Sequence, residues 1–281
     1  MLGLVAAAGV GAASPAAAID CGKATNLGEK RICGSQSLSS ADAAMSGAYT
    51  KLLHSAPDPE IRSMLVDSQR RWIAARDRWL SLHPHGPEVS VGLLRRAIEQ
   101  RAEQLGDRTD KGFVAQAEAQ RRFLAKYSEG TFSGFDASCD FVPDDVDQKS
   151  FSYECETVMH VRNEDRICSA ATEWASGSVY EYYAVSRIEG NVVLPVATCG
   201  DQSGGICDKD QDGHSASGWS FVPENNRRVP APRKGLPQLD AEGLWPLEAN
   251  DVNWFGRCLT SPVYPRQSEA SSTNGANGVR P

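Results

Sequence analysis

Through the first third of the chain, apolar residues recur three and four positions apart, the spacing that gathers side chains on one face of a helix. Leu38, Met45, Ala48, Tyr49 and Leu52 mark one helix from about Ser39 to Ser55, with Ser39 or Ser40 as its N-cap. Ala56-Pro57-Asp58-Pro59 breaks it and opens a second, Asp58 supplying a short polar cap and Pro59 a missing N–H where none is needed. Ile61, Leu65, Trp72 and Trp79 carry that helix to about Leu82. After the turn His83-Pro84-His85-Gly86-Pro87, a third runs on Val91, Leu94, Ile98, Ala102 and Leu105 to about Gly106. Three helices of similar length on short proline-rich turns predict a small antiparallel bundle. Ahead of them, Cys21 and Cys33 bracket a stretch short enough to be one or two helical turns closed by their own bridge.

Past a polar linker, Phe113, Ala117, Leu124 and Tyr127 suggest one more helix, and near Gly130 the period changes from helical to alternating. Phe151, Tyr153, Cys155, Thr157, Met159 and Val161 alternate with Ser152, Glu154, Glu156, Val158, His160 and Arg162, the pattern of a half-buried strand. Asn163-Glu164-Asp165 reads as a turn into a partner strand, and Glu189-Gly190-Asn191 as the turn of a second hairpin, Val179 to Ile188 and Val192 to Thr198. The predicted class is α+β. A helical bundle over residues 19–106 is followed by a linker helix over 107–129, a β-rich domain over 130–262 and a disordered Ser/Asn/Gly-rich tail over 263–281.

Composition adds compartment and charge. Residues 1–18 carry no charge and end in Ala16-Ala17-Ala18, the small-x-small pattern of a signal peptide cleaved after Ala18, so a periplasmic or secreted protein is expected. The run is too short and too rich in Gly and Ala for a membrane span. Eight cysteines, Cys21, Cys33, Cys139, Cys155, Cys168, Cys199, Cys207 and Cys258, are an even set with no C-x-x-C pair, which favours disulfides over zinc or dithiol redox chemistry. Of the net charge of −7, residues 19–106 contribute +2 (twelve Lys/Arg, ten Asp/Glu) and the rest −9 (17 against 26). No basic face is available for nucleic acid, whereas a protein partner, a basic one above all, is compatible.

The second helix holds Gln69-Arg70-Arg71-Trp72-Ile73-Ala74-Ala75-Arg76-Asp77. Residues four apart stack, so Gln69, Trp72 and Arg76 share a face. Such a face reads first as a structural clamp with the guanidinium against the indole. As an interface, Gln69, Trp72, Arg76 and Asp77 would be its binding residues. The Cys21 and Ile32-Cys33 positions, Leu38-x-x-Ala41-Asp42-x-x-Met45-x-x-x-Tyr49, Gln69-x-x-Trp72-x-x-x-Arg76-Asp77 and the closing Arg-rich helix resemble the LprI-type lysozyme inhibitor domain over about residues 20–106. The resemblance implies a secreted all-α domain and lysozyme as a partner. It also implies a cysteine just after Arg-Asp, where this chain has Arg78-Trp79-Leu80, so the family's bridging cannot be copied whole and Cys21–Cys33 is the pairing that remains.

Further chemistry is sparse. Asp208, Asp210 and Asp212, with Gly213, reproduce the first half of a calcium loop, but Trp219 stands where the bidentate Glu belongs; a solvated acidic turn is the simpler reading. No other cofactor is expected. His83 and His85 lack a third ligand, and no G-x-S-x-G, H-E-x-x-H or phosphate-binding glycine loop occurs. The sequence therefore points to a non-catalytic binding protein, and the resemblance implies a lysozyme inhibitor. The alternatives are an envelope-polymer hydrolase using Asp/Glu of the second domain, with two carboxyls facing across a cleft, or a structural envelope module holding calcium.

Overall fold

The computed structural model describes residues 18–83, 90–127, 131–144, 150–175, 178–200, 219–222, 234–243 and 249–265. After a 3-10 turn at Cys21–Lys23 come α1 (Leu27–Cys33), α2 (Gln36–Ser55), α3 (Pro59–Leu82), α4 (Val91–Gly106) and α5 (Phe113–Leu124). The Cys21–Cys33 bridge forms. α1 opens on Asn26, whose side chain accepts from the Glu29 N–H while the Glu29 carboxylate accepts from the Thr25 and Asn26 N–H groups, a reciprocal cap that satisfies several orphan donors. α2 starts three residues before Ser39, at Gln36 with Ser35 as N-cap, and the Ser39 hydroxyl instead donates to the Ile32 carbonyl of α1. α3 begins as its sequence predicts: Asp58 Oδ1 accepts from the Glu60 and Ile61 N–H groups, and Pro59 is the first helical residue.

The second half is a six-stranded antiparallel meander, β1 (Gly134–Pro143), β2 (Phe151–Asn163), β3 (Arg166–Ala175), β4 (Ser178–Glu189), β5 (Val192–Gly200) and β6 (Ser220–Phe221), with neighbours in sequence paired in space. Both predicted hairpin turns form, with Glu164 and Gly190 at positive φ. Where Pro195 can donate no ladder bond, the β4–β5 register slips between Val185 and Ser186. β1 was not visible in the alternation because Asp136, Asp140 and Asp144 dominate the stretch, yet Phe135, Cys139 and Phe141 all fall on its buried side. A last helix, α6 (Ala249–Thr260), lies on that same sheet face and is tied to it by Cys168–Cys258.

That single sheet face serves two cores. Toward one end, Met159, Val161, Cys168, Ala170, Tyr183, Val185 and Ala197 pack with Trp254 and Phe255 of α6 and Phe123 of α5. Toward the other, Phe141, Phe151 and Tyr153 join the helical core of Leu38, Met45, Leu52, Ile61, Leu65, Trp72, Trp79 and Ile98. Trp79 stacks on Phe141 with ring centroids 4.8 Å apart and on Phe151 at 5.2 Å. Leu239 and Ala241 from the segment 234–243 complete this core. Helices and sheet therefore bury apolar surface against one another.

Candidate functional site

Gln69, Trp72, Arg76 and Asp77 do come together on α3, and the first three face inward, each under 5 % exposed. Trp72 meets the Phe141 ring edge-on at 6.0 Å, with the Arg76 guanidinium 5.7 Å from its own ring centroid. Gln69 Oε1 accepts from Arg101 Nε at 3.1 Å, and its amide nitrogen lies 3.7 Å from Met45 Sδ. Arg76 donates through Nε and Nη2 to Asp77 Oδ1 (2.9 and 2.6 Å). Asp77 Oδ2 in turn accepts from Asn26 Nδ2 at 3.2 Å. Asn26 is the residue that caps α1, so the Arg-Asp pair anchors the disulfide-closed N-terminal turn to the long helix. Gly28 lets it approach this closely, since a Cβ there would stand 2.6 Å from Asp77 Oδ1. These four side chains set the shape of the helical unit; a partner could touch Trp72 only after the core opened.

Arg78 and Trp79 stand where the family pattern has a cysteine. They dock the unit onto the sheet: Arg78 donates to Asp140 Oδ2 at 2.7 Å and to the Cys139 carbonyl at 3.0 Å, while Trp79 stacks on Phe141. Cys139 itself is bonded to Cys155 directly across the β1–β2 ladder. Cys199 is also disulfide-bonded, and no described cysteine is free.

A second polar cluster lies beside the first. Arg71 makes a fork to Asp240 (Nη1–Oδ1 3.0 Å, Nη2–Oδ2 2.7 Å) and donates to Glu242 Oε2 at 2.9 Å. Arg101, 1 % exposed, donates to Glu242 Oε1 (3.2 Å), Ser68 Oγ (2.6 Å) and Gln69 Oε1, and the rings of Phe113 and Tyr153 flank it at 5.2 and 5.9 Å. The Ser68 hydroxyl donates in turn to Glu242 Oε1 at 2.5 Å. One buried and one partly exposed cation thus meet two buried carboxylates, each engaged by several partners, as buried charges must be. Arg101 had a sequence signal, a charge on the stripe Leu94, Ile98, Leu105. Asp240 and Glu242 had none, because the proline-rich stretch that holds them has no period. Two carboxyls do approach one another here, but both are bound to guanidinium groups.

The other candidates disperse. Asp208, Asp210, Asp212 and Cys207 lie outside the described residues, as do His85, Asp145 and Asp147. His83 turns its Nδ1 to the Trp79 carbonyl at 3.0 Å and its ring to Phe151. Among the described residues no group of three or more His, Cys, Asp or Glu could hold a metal ion, and no helix is long and apolar enough to cross a membrane. Neither a curated protein nor a solved structure matches the chain. The helical unit, from the bridged turn at Cys21 to the end of α4, coincides with the stretch that matches a known family: residues 21–105 match the family model for lysozyme inhibitor LprI.

Proposed function

We propose that this is an exported, non-catalytic inhibitor that binds a lysozyme-type glycoside hydrolase through the surface of its helical unit. The observation that carries the reading is the family match at residues 21–105, which spans α1 to α4 and the bridged turn that opens them, helices that share one core. Bridged cysteines support an oxidising compartment outside the cytoplasm. Inhibition here needs occlusion of a cleft and no covalent step, and a unit held by Trp72, Arg76 and the Arg71–Arg101 cluster presents its surface with little ordering left to do on binding. Its slightly basic charge is ill suited to attract a basic hydrolase. The −9 carried by the rest of the chain supplies the attraction that speeds encounter.

The test is a lysis assay on a cell-wall suspension with purified residues 19–281, its disulfides intact, together with calorimetric titration of the same lysozyme. Loss of lytic rate in proportion to inhibitor, a 1:1 complex, and an association rate that falls with salt are the expected results. Undiminished lysis and no binding heat at about 10 μM of each protein, a concentration at which micromolar complexes form, would remove lysozyme as the target.

A further inference from the structure

Asp42 lies on the inner side of α2, 3 % exposed, one turn from the buried Leu38 and Met45. A carboxylate taken out of water needs an opposite charge as well as hydrogen bonds. Among the described residues no Lys, Arg or His lies within ion-pair distance of it. Its hydrogen-bond donor is the backbone nitrogen of Ile19, 3.0 Å from Asp42 Oδ2 across 23 residues of chain. In the uncut chain that donor is a neutral amide.

The Ile19 nitrogen is held in place from three sides. Its own side chain is partly buried against the helical core. The next residue, Asp20, opens the 3-10 turn, its carboxylate accepting from the Gly22 N–H at 3.0 Å and its carbonyl from the Lys23 N–H at 2.8 Å. Cys21 bonds that turn to Cys33 at the end of α1, and the Ser39 hydroxyl ties α2 to the Ile32 carbonyl of α1. The charges of the turn and of the α1 cap are turned elsewhere: Lys23 meets Asp20 at 3.4 Å, and Glu29 accepts from the Thr25 and Asn26 N–H groups.

Ile19 is also the first residue after Ala16-Ala17-Ala18, where the leader is expected to be cut. Hydrolysis adds water across that bond: Ala18 leaves as a carboxylate, and the Ile19 nitrogen stays behind and takes up a proton at neutral pH. An amide thereby becomes an ammonium at the atom already bonded to Asp42. Ala18 is exposed, so the remaining protons of the new group reach water on the side the leader vacates.

We propose that processing after Ala18 supplies the charge that Asp42 lacks: the α-ammonium of Ile19 pairs with the Asp42 carboxylate and locks the bridged turn onto α2 in the mature chain. The pair rests on the export reading and is indifferent to which enzyme the protein binds.

The test compares oxidised chains that all end at Pro281: one starting at Ile19 with a free amine, the same chain acetylated at that amine, one starting at Ala18, and the first two carrying Asp42→Asn. Acetylation rebuilds the amide of the uncut chain, so the hydrogen bond survives and only the charge is lost. At about pH 6.5, Tm should fall by at least about 5 °C on acetylation and by a similar amount with Ala18 in front, the scale of a broken buried pair in a chain of this length. In Asp42→Asn the free and acetylated chains should melt together. An unpaired α-amine titrates near about 8, and pairing raises that value in the folded chain. The Tm gap should therefore be complete below about pH 7 and close as pH rises through the raised value, by roughly pH 10. This pH readout uses the native sequence and stands even where Asp42→Asn fails to fold. Equal melting of free and acetylated chains at about pH 6.5, a gap unchanged at about pH 10, or a mature chain whose first residue is not Ile19 would each overturn the assignment. Failure of lysozyme inhibition in the lysis assay leaves all three readouts as they are.

Discussion

Replacing Glu242 by alanine removes one acceptor from Arg71 and two contacts from Arg101 and Ser68. Arg71 keeps its fork to Asp240 and is partly exposed. Arg101 keeps only neutral partners, Ser68, Gln69 and Gln104, in a site where it is 1 % exposed. An uncompensated buried charge costs about 3–5 kcal/mol when one member of a pair is removed. In a chain of this length that loss should lower Tm by about 10 °C, at ~2–4 °C per kcal/mol. Calorimetric melting of wild type, Glu242→Ala, Arg101→Met and the double variant measures it. The double variant should recover at least about 2 kcal/mol relative to the sum of the singles, because an apolar replacement of the whole pair strands no charge. A Glu242→Ala protein within about 1 kcal/mol of wild type, the range of an ordinary surface pair, would refute the reasoning. So would a double variant whose losses simply add.

Other expectations follow from the same packing. Trp72→Ala should cost about 3–5 kcal/mol, the range for deleting a buried aromatic, and should weaken lysozyme binding only as far as it unfolds the helices; a variant with unchanged Tm and no binding would make Trp72 an interface anchor. The Tyr153 hydroxyl is buried without a hydrogen-bond partner, and burial raises its pKa, so Tyr153→Phe should stabilise by roughly 1 kcal/mol in urea unfolding, and a loss of that size would show that the hydroxyl is engaged. The hydrogen bond from Arg121 holds the Asp58 carboxyl down to about 2. Because the folded value lies below the unfolded one, the stability it contributes is present above about pH 4 and lost as pH falls toward 2. Carboxyl NMR should place its titration near 2 and move it upward in Arg121→Ala; an unmoved titration would mean that the N-cap bonds alone set it.

Periodicity exposed the elements whose environment repeats along them. α3 was legible to the residue at its start because Asp58 and Pro59 carry opposite halves of one signal, and β2 because its alternate side chains all face the same side of the sheet. α2 began earlier than its apolar stripe, since its first turn is held by contacts to α1. β1 was hidden because its outward residues mix Asp136 and Asp140 with Gly134, Ser138 and Val142, and its inward ones are too few to show a period. Of the candidate site, Gln69, Trp72, Arg76 and Asp77 were legible as a cluster, and what the sequence did not show is that three of them are buried. The partners Asp240 and Glu242 lie 169 and 141 residues from Arg71 and Arg101. Nothing local could announce them, for a long-range ion pair leaves no mark on the periodicity of either segment.

The separation of 141 residues between Arg101 and Glu242 also sets a clock. A chain made from its N-terminus at about 5–20 residues per second completes α4 roughly 7–28 s before the carboxylate that neutralises Arg101 exists. Phe141, Phe151 and Leu239, which close the helical core, arrive in the same interval. Until then the nascent helices show an aromatic surface around Trp79 and an unmet cation, a combination that invites premature association. A protein built this way completes its helical core only when its last third has been made.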